Sequence, residues 1–384
     1  MRKIKIFMMA MMVLVYLICF TGCWNYREID KFAIVAGVAV DKSKDGQYLI
    51  TPEIVDISGG RETKITSKII SIEGKTIFDA VRNLISVLGK KPFWSHTKVL
   101  VLSKEVASEN VNNIIDWYMR DAETREDVNI LISETESARK IFEGQSISEE
   151  IKSYNMDAIL KNQVSLSKAP VKDVLHFNIE SKAEGVSAIL PAINIKQIDG
   201  KMAPQIFGTA IIKNGKLVGF LSGEETQVLL FIRNEIKGGV LVEGAQKESV
   251  NSPASLEIFK SKTKVTPIVD GKQIEINLNV DTTVAIDEID GTENYIAEEG
   301  RTKLEQTAAN TLKEQIESLI KKIQQEYAAD IFRFETKLHQ DNPKTWKLVS
   351  SNWEEIFKDL KVNVQTKVHI KNSAVISKSV QEGD

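Results

Sequence analysis

Cys23, the one cysteine outside an apolar leader, divides this 384-residue chain into two stretches of opposite character. Before it, Arg2, Lys3 and Lys5 precede about 15 mostly apolar residues, 6–20, and small Thr21 and Gly22 stand directly ahead of the thiol. After it the chain is polar and has no second apolar run near 18 residues, so the body is expected wholly on one side of a membrane. This is the layout of a secretory signal, which puts that side outside the cytoplasm. The competing reading is an uncleaved membrane helix, because extending the apolar run to Cys23 gives about 18 residues, the lower edge of what spans a bilayer. Trp24 and Tyr26 follow at once as membrane-interface candidates, since amphipathic rings are favoured where headgroups meet acyl chains. Ordinary packing would account for them equally well.

A thiol after two small residues resembles the lipobox of bacterial lipoproteins, with Phe20 where that motif usually has Leu. The resemblance implies that the signal peptide 1–22 is removed and that Cys23 becomes the amino terminus, carrying an S-diacylglycerol and an N-acyl group. Each buried methylene is worth roughly 0.8 kcal/mol and one chain binds only marginally, so added chains make the anchor stable. Cys19 lies inside the leader, which leaves Cys23 alone in the mature chain and no internal disulfide. With 50 Lys and Arg against 53 Asp and Glu, the net charge of −3 points neither to nucleic acid nor to a strongly anionic surface. Attachment to the bilayer would then run through lipid.

The body is long enough for two domains or three. Residues 32–40 and 48–55 flank Asp45 and Gly46 as a hairpin, and 64–72 follows as a strand after turn glycines Gly59 and Gly60. Thr76 with Asp79 resembles a capping box ahead of a helical stripe, Ile77, Val81, Leu84, Ile85 and Leu88, stopped by Gly89. A strand at 98–102, a helical stripe over 111–118 and a strand at 128–132 come next, suggesting helices on one face of a sheet. Short helices are expected over 151–175. From Gly185 the period becomes two, with strands at 186–198, 205–213 and 216–221, the last two joined by Asn214 and Gly215. A helix is expected at 224–235 and strands at 257–267 and 273–286. Thr302 and Glu305 open the longest helical pattern, near 302–328, read as packed across a sheet rather than as a coiled coil. Residues 330–357 gather Phe332, Phe334, Trp346, Trp353 and Phe357, either a core or, if exposed, a docking patch. A strand at 362–370 closes the sheet.

These patterns predict an α+β chain of several domains, mixed sheets with packed helices behind the leader. An N-terminal α/β domain covers 23–190 and a C-terminal α+β region 191–384, with a division into about 191–250 and 251–384 left open.

No catalytic constellation emerges. His96, His176, His339 and His369 are scattered, with no two at metal-ligand spacing, so neither a metal nor a cofactor is expected. Glu335 and His339 would share a face of a helix, a pairing too common to imply chemistry. The nucleophile elbow and the dinucleotide and kinase signatures are absent. Glu224 with Glu225, and Glu354 with Glu355, are neighbours in sequence and point apart on a helix.

Four separated blocks resemble the Ger(x)C family, the lipoprotein C subunits of spore germinant receptors. They are Gly22, Cys23, Trp24 with Arg27, Glu28, Ile29; His96, Thr97, Lys98, Val99; Gly208, Thr209, Ala210 with Lys213, Leu217, Val218, Gly219 and Glu224, Glu225, Thr226; and Asp330, Ile331, Phe332 with His339, Pro343, Trp346, Trp353, Ile356 and Phe357. Asn25 stands where Asp or Ser is commoner, and Arg333 and Glu335 stand where glycines are expected. The resemblance implies a multi-domain ectodomain of mixed α and β structure with no enzymatic activity. It implies a lipid anchor on the extracytoplasmic face of the spore inner membrane, with integral membrane subunits A and B as partners. The alternative is an extracytoplasmic lipoprotein that binds a small molecule in an interdomain cleft. An exported hydrolase would need a carboxylate pair or metal site that the sequence does not display.

Overall fold

Between Phe32 and Lys42 most residues are small or β-branched, and this run becomes an inner strand of a ten-stranded mixed sheet. The structure, a computed structural model, describes residues 2–19, 31–58, 64–243, 253–271, 273–290, 294–295 and 297–373. The first sheet holds β1 (Phe32–Lys42), β2 (Tyr48–Ser58), β3 (Lys64–Ile69), β4 (Ile72–Gly74), β5 (Lys91–Phe93), β6 (Val99–Leu102), β7 (Asn129–Ser133), β8 (Ala188–Ile198), β9 (Lys201–Lys213) and β10 (Lys216–Leu221). Its order is β10-β9-β8-β7-β6-β1-β2-β3, with β4 also on β2 and β5 on β1. β1, β6, β7 and β8 run parallel, and antiparallel hairpins extend the sheet on both sides.

Ahead of the first sheet lies helix α1 (Arg2–Cys19), which begins with Arg2, Lys3 and Lys5. Among the described residues no helix is long and apolar enough to cross a membrane.

Helices cover both faces of the first sheet, where the sequence pattern suggested one. Val38, Val40, Leu100, Leu102, Ile130 and Ile132 pack against α2 (Ile77–Leu88) and α3 (Lys104–Arg120). The alternate residues Ala39, Val99, Val101 and Leu131 pack against α4 (Arg139–Glu143) and α5 (Lys152–Lys161). All four residues of β6 are therefore buried, as parallel strands between two helical layers require. Two buried carboxylates fix the second layer. Asp41 accepts from the Ala138 and Arg139 amides, and Glu53 from the Lys152 and Ser153 amides and the Ser153 hydroxyl. Gly37 permits that approach, for a Cβ there would stand 2.1 Å from the Ser153 hydroxyl.

The expected division at 190 falls inside β8, whose pairing with β7 and β9 carries the first sheet on to Leu221. The change to a period of two marks antiparallel strands added to a parallel centre, not a new sheet. The second sheet, β11 (Val240–Glu243), β12 (Ala254–Asp270), β13 (Gln273–Ile289) and β14 (Lys361–Ser373), lies in that order with β14 parallel to β13. Its inner face takes α8 (Gly223–Ile232) and α9 (Glu298–Lys322), burying Ile276, Leu278 and Val280 against Leu304, Leu312 and Ile316. Asn279 and Asp281, on the other face, are exposed. Ile189, Ile211 and Leu221 share this second core, so the two sheets are joined through packed side chains.

Helix α9 starts four residues earlier than expected. Thr302 is no cap: its hydroxyl donates to the Glu298 carbonyl one turn back, and Glu305 accepts from the Ile370 amide of β14. The helix ends in a π turn, Ile323–Tyr327. Between α5 and β8 stand α6 (Gln163–Leu166) and α7 (Val174–Ser181). The aromatic stretch folds as α10 (Phe334–Asp341), α11 (Pro343–Val349) and α12 (Trp353–Lys358).

Candidate functional site

The loop between α9 and α10 reverses the chain through two left-handed residues, Ala328 (φ 47°) and Arg333 (φ 64°). Such a loop strands backbone N–H groups, and buried donors must find acceptors. Asp330 supplies them. One carboxylate oxygen accepts from the Phe332 and Phe334 amides at 3.1 and 3.3 Å, and the other from the Glu335 amide at 2.9 Å and the Trp353 indole at 3.1 Å. Burial pushes this carboxyl up and the four donors pull it back. Two units can be distinguished, the first sheet with α2–α7 and the second sheet with α8–α12, and the Asp330 carbonyl of the second accepts from the Ser187 amide of the first at 3.1 Å.

Beside the loop lies a buried ionic cluster that crosses between the units. Glu180 of α7 accepts from Arg233 at 2.7 Å and pairs with Lys172 at 2.9 Å and Arg333 at 3.3 Å. Arg233 also donates to the Ile331 carbonyl at 2.9 Å and pairs with Glu235 at 3.2 Å. Burial alone would raise the Glu180 carboxyl, but Arg233, Lys172 and Arg333 outweigh it and hold the group at about 2. Glu335 goes the other way. Burial pushes it to about 8, with the Asp330 charge adding to the rise and the Thr336 hydroxyl and Arg333 opposing it. Arg333, where a glycine was expected, accepts the left-handed backbone and sends its guanidinium to Glu180 and Glu235.

The aromatic residues around Asp330 form a core. Trp346 and Trp353 meet edge to face at 5.6 Å, Phe332 lies 5.3 Å from Phe334 and 6.2 Å from Phe357, and all five are buried. Gly185, at φ 84°, lets the first unit approach them, since a Cβ there would come 2.9 Å from the Trp346 ring. A cavity of about 320 Å³ opens at this junction, lined by Ser187, Lys213, Asn214, Asp330, Trp353 and Glu354 among others. Lys213 is spoken for: it pairs with Glu354 at 2.6 Å and donates to the Tyr327 carbonyl at 3.2 Å.

Cys23, Trp24 and Tyr26 lie outside the described residues, as do Gly59 and Gly60. His96 is exposed, His176 bonds the N-cap Asp173, His339 stacks on Trp346 at 5.8 Å, and His369 stands 3.8 Å from Asp281. Glu335 and His339 do share α10, yet Glu335 is buried and His339 exposed. Among the described residues no three His, Cys, Asp or Glu side chains gather as metal ligands would. Glu225 completes a capping box with Ser222 and pairs with Lys322, and Thr226 bonds Thr209 at 2.7 Å. Sequence reasoning missed the Glu180–Arg233 pair, whose members stand 53 residues apart with no spacing to connect them.

A family model described as "Spore germination protein N-terminal domain" matches residues 25–195, and one described as "Spore germination B3/ GerAC like, C-terminal" matches 207–374. The two meet within the β8–β9 hairpin. Relatives in Bacillus subtilis (strain 168) align almost end to end. Spore germination protein YndF is 27% identical over 96% of this chain and 97% of its own length. Spore germination protein B3 is 25% identical over 92% and 94%. The crystal structure of the GerBC protein, 22% identical, superposes with a TM-score of 0.55 over 88% of this chain and 97% of that one, which shows a common fold.

Proposed function

The chain belongs to the Ger(x)C family of spore germination proteins, and from that premise we propose that it is the lipid-anchored, non-enzymatic C subunit of a spore germinant receptor. Cys23 holds it at the extracytoplasmic face of the spore inner membrane, where it assembles with the A and B integral membrane subunits. The carrying observation is the pair of family models that together match residues 25–195 and 207–374. The absence of enzymatic activity finds support in the placement of the perturbed carboxylates. Glu180 is tied up as a structural acceptor among buried partners, and Asp330, although it lines the junction cavity, spends both carboxylate oxygens on four buried donors. Lipid tethering confines the body to a thin layer and raises its effective concentration near membrane partners without any new contact, so weak docking surfaces suffice.

Spores carrying Cys23 but lacking residues 31–384 are expected to lose the response to germinant. Normal germination from such spores refutes a necessary role. Cys23→Ala is expected to leave the leader uncleaved and the protein misplaced. A second reading, a small-molecule site between the units, is favoured by the cavity at the Asp330 junction. Calorimetric titration of the soluble body with germinants separates the two, since heat that saturates supports the ligand site.

A further inference from the structure

The cluster at the junction of the two units holds more acid than base. Lys172, Arg233 and Arg333 meet four carboxyl groups, those of Glu180, Glu235, Asp330 and Glu335. Three of the four have partners for a charge. Glu180 pairs with all three cations, Glu235 pairs with Arg233 and Arg333, and Asp330 accepts four hydrogen bonds. Glu335, 3% exposed, has the Thr336 hydroxyl as donor and no ion pair among the described residues. Burying three cations with four carboxylates would leave one charge uncompensated, and the carboxyl with the least support is the one that keeps a proton.

The surroundings of Glu335 act in the same sense. Burial raises its carboxyl most, Asp330 of the loop and Glu180 of α7 add to the rise, and the Thr336 hydroxyl and Arg333 oppose it. On its own helix His339 is exposed and stacked on Trp346, and Lys337 pairs with Asp341. Lys344 and Lys347 of α11, and the charged residues of β12, are exposed, and none pairs with it. Glu335 also sits where the units touch. Its amide bonds the Asp330 carboxylate at 2.9 Å, and the Asp330 carbonyl takes the Ser187 amide of the first unit at 3.1 Å.

We propose that Glu335 is a proton-operated latch between the two units: with its proton, the Asp330 loop rests closed on Ser187 and α7, and without it a third carboxylate stands against Asp330 and Glu180 and loosens that contact. The latch goes beyond the reading as a receptor subunit and needs neither the anchor nor a partner. A proton held in the closed junction and released on opening makes the opening constant rise by up to about tenfold per pH unit between 4.5 and about 8, and level off above.

Amide hydrogen exchange tests this in the full-length protein in phosphatidylcholine nanodiscs, between about pH 5.5 and 7.5, with rates corrected for the intrinsic effect of pH. Protection of the Ser187 amide is expected to fall by about tenfold per pH unit, while peptides of β6 and β13 hold theirs. Glu335→Gln, which keeps the shape and cannot ionise, is expected to show no such slope at Ser187. The same slope in Glu335→Gln overturns the assignment of the proton. A slope confined to α10, with Ser187 unchanged, means that Glu335 swings out alone and overturns the latch. No slope in the unaltered protein overturns both.

Discussion

The two sheets bury apolar residues by different rules. β6 and β7 lie between helical layers and are apolar at consecutive positions, whereas β13 has helices on one face only and alternates Ile276, Leu278 and Val280 with Asn277, Asn279 and Asp281. The first sheet therefore acts as a two-sided scaffold, and the second as a one-sided cover with a solvated outer face. The difference locates what couples them: neither sheet's ladder reaches the other, so the junction depends on the shared core, the Asp330 loop and the buried Glu180–Arg233 cluster.

The largest effect is expected where that coupling is concentrated. Asp330→Ala removes the acceptor for three amides and the Trp353 indole, all buried, and should cost about 3–5 kcal/mol in urea denaturation. Loss should appear in both units if the junction holds them as one. If fluorescence of Trp94, in the first unit, keeps its midpoint while that of Trp353 shifts, the sheets are thermodynamically separate.

A second comparison tests the layers themselves. Leu100 and Leu131, on adjoining strands, face opposite helical layers, so Leu100→Ala and Leu131→Ala should each cost about 2–5 kcal/mol. In β13, Leu278→Ala should cost a similar amount while its neighbour Asn279→Ala stays within about 0.5 kcal/mol. Equal sensitivity at 278 and 279 would mean that the outer face of the second sheet is covered.

Much of this organisation is legible in the residues. Dense apolar runs mark the parallel strands, strict alternation marks β13, and Asn214 with Gly215, at φ 52° and 78°, makes the tight turn that the pair predicts. What escapes is held by contacts remote in sequence. The second helical layer is weakly amphipathic, and its buried Ser153 is satisfied by Glu53, 100 residues earlier. The aromatic stretch reads as core or docking patch until Trp346 and Trp353 are seen buried against Gly185. Asp330 lay within a family block, but its role as an acceptor depends on a loop that spacing does not reveal.

Protonation should distinguish the junction from both sheets. Glu335, at about 8 in the folded chain against 4.5 when unfolded, keeps its proton more tightly in the native state, so its contribution is full below pH 4.5 and is lost as pH rises to about 8. The slope is at most about 1.4 kcal/mol per pH unit. Glu180, held at about 2, has the opposite sign: its contribution is present above pH 4.5 and lost as pH falls toward 2. Glu335→Gln should flatten the stability profile between pH 5 and 8, measured by urea midpoints, and leave the acid limb intact. An unchanged profile would place the proton elsewhere.

The smallest effect separates two threonines that look alike in sequence, one in each region. Thr76 and Thr302 both stand three residues ahead of an acid, the pattern of a capping box. Only Thr76 caps: its hydroxyl accepts from the Asp79 amide at 3.1 Å, and the Asp79 carboxylate accepts from the Lys75 amide at 2.9 Å. Thr302 sits inside α9, where its hydroxyl turns back to a carbonyl already within the helix. Thr76→Ala should therefore cost about 1 kcal/mol, and Thr302→Ala should be neutral or slightly stabilising, because alanine has the higher helix propensity and no orphan amide is exposed. Denaturation of the two variants side by side checks the sign. A loss at 302 equal to that at 76 would mean that α9 starts at its sequence motif and not at Glu298, where the acidic pair Glu298 and Glu299 meets the positive end of the helix.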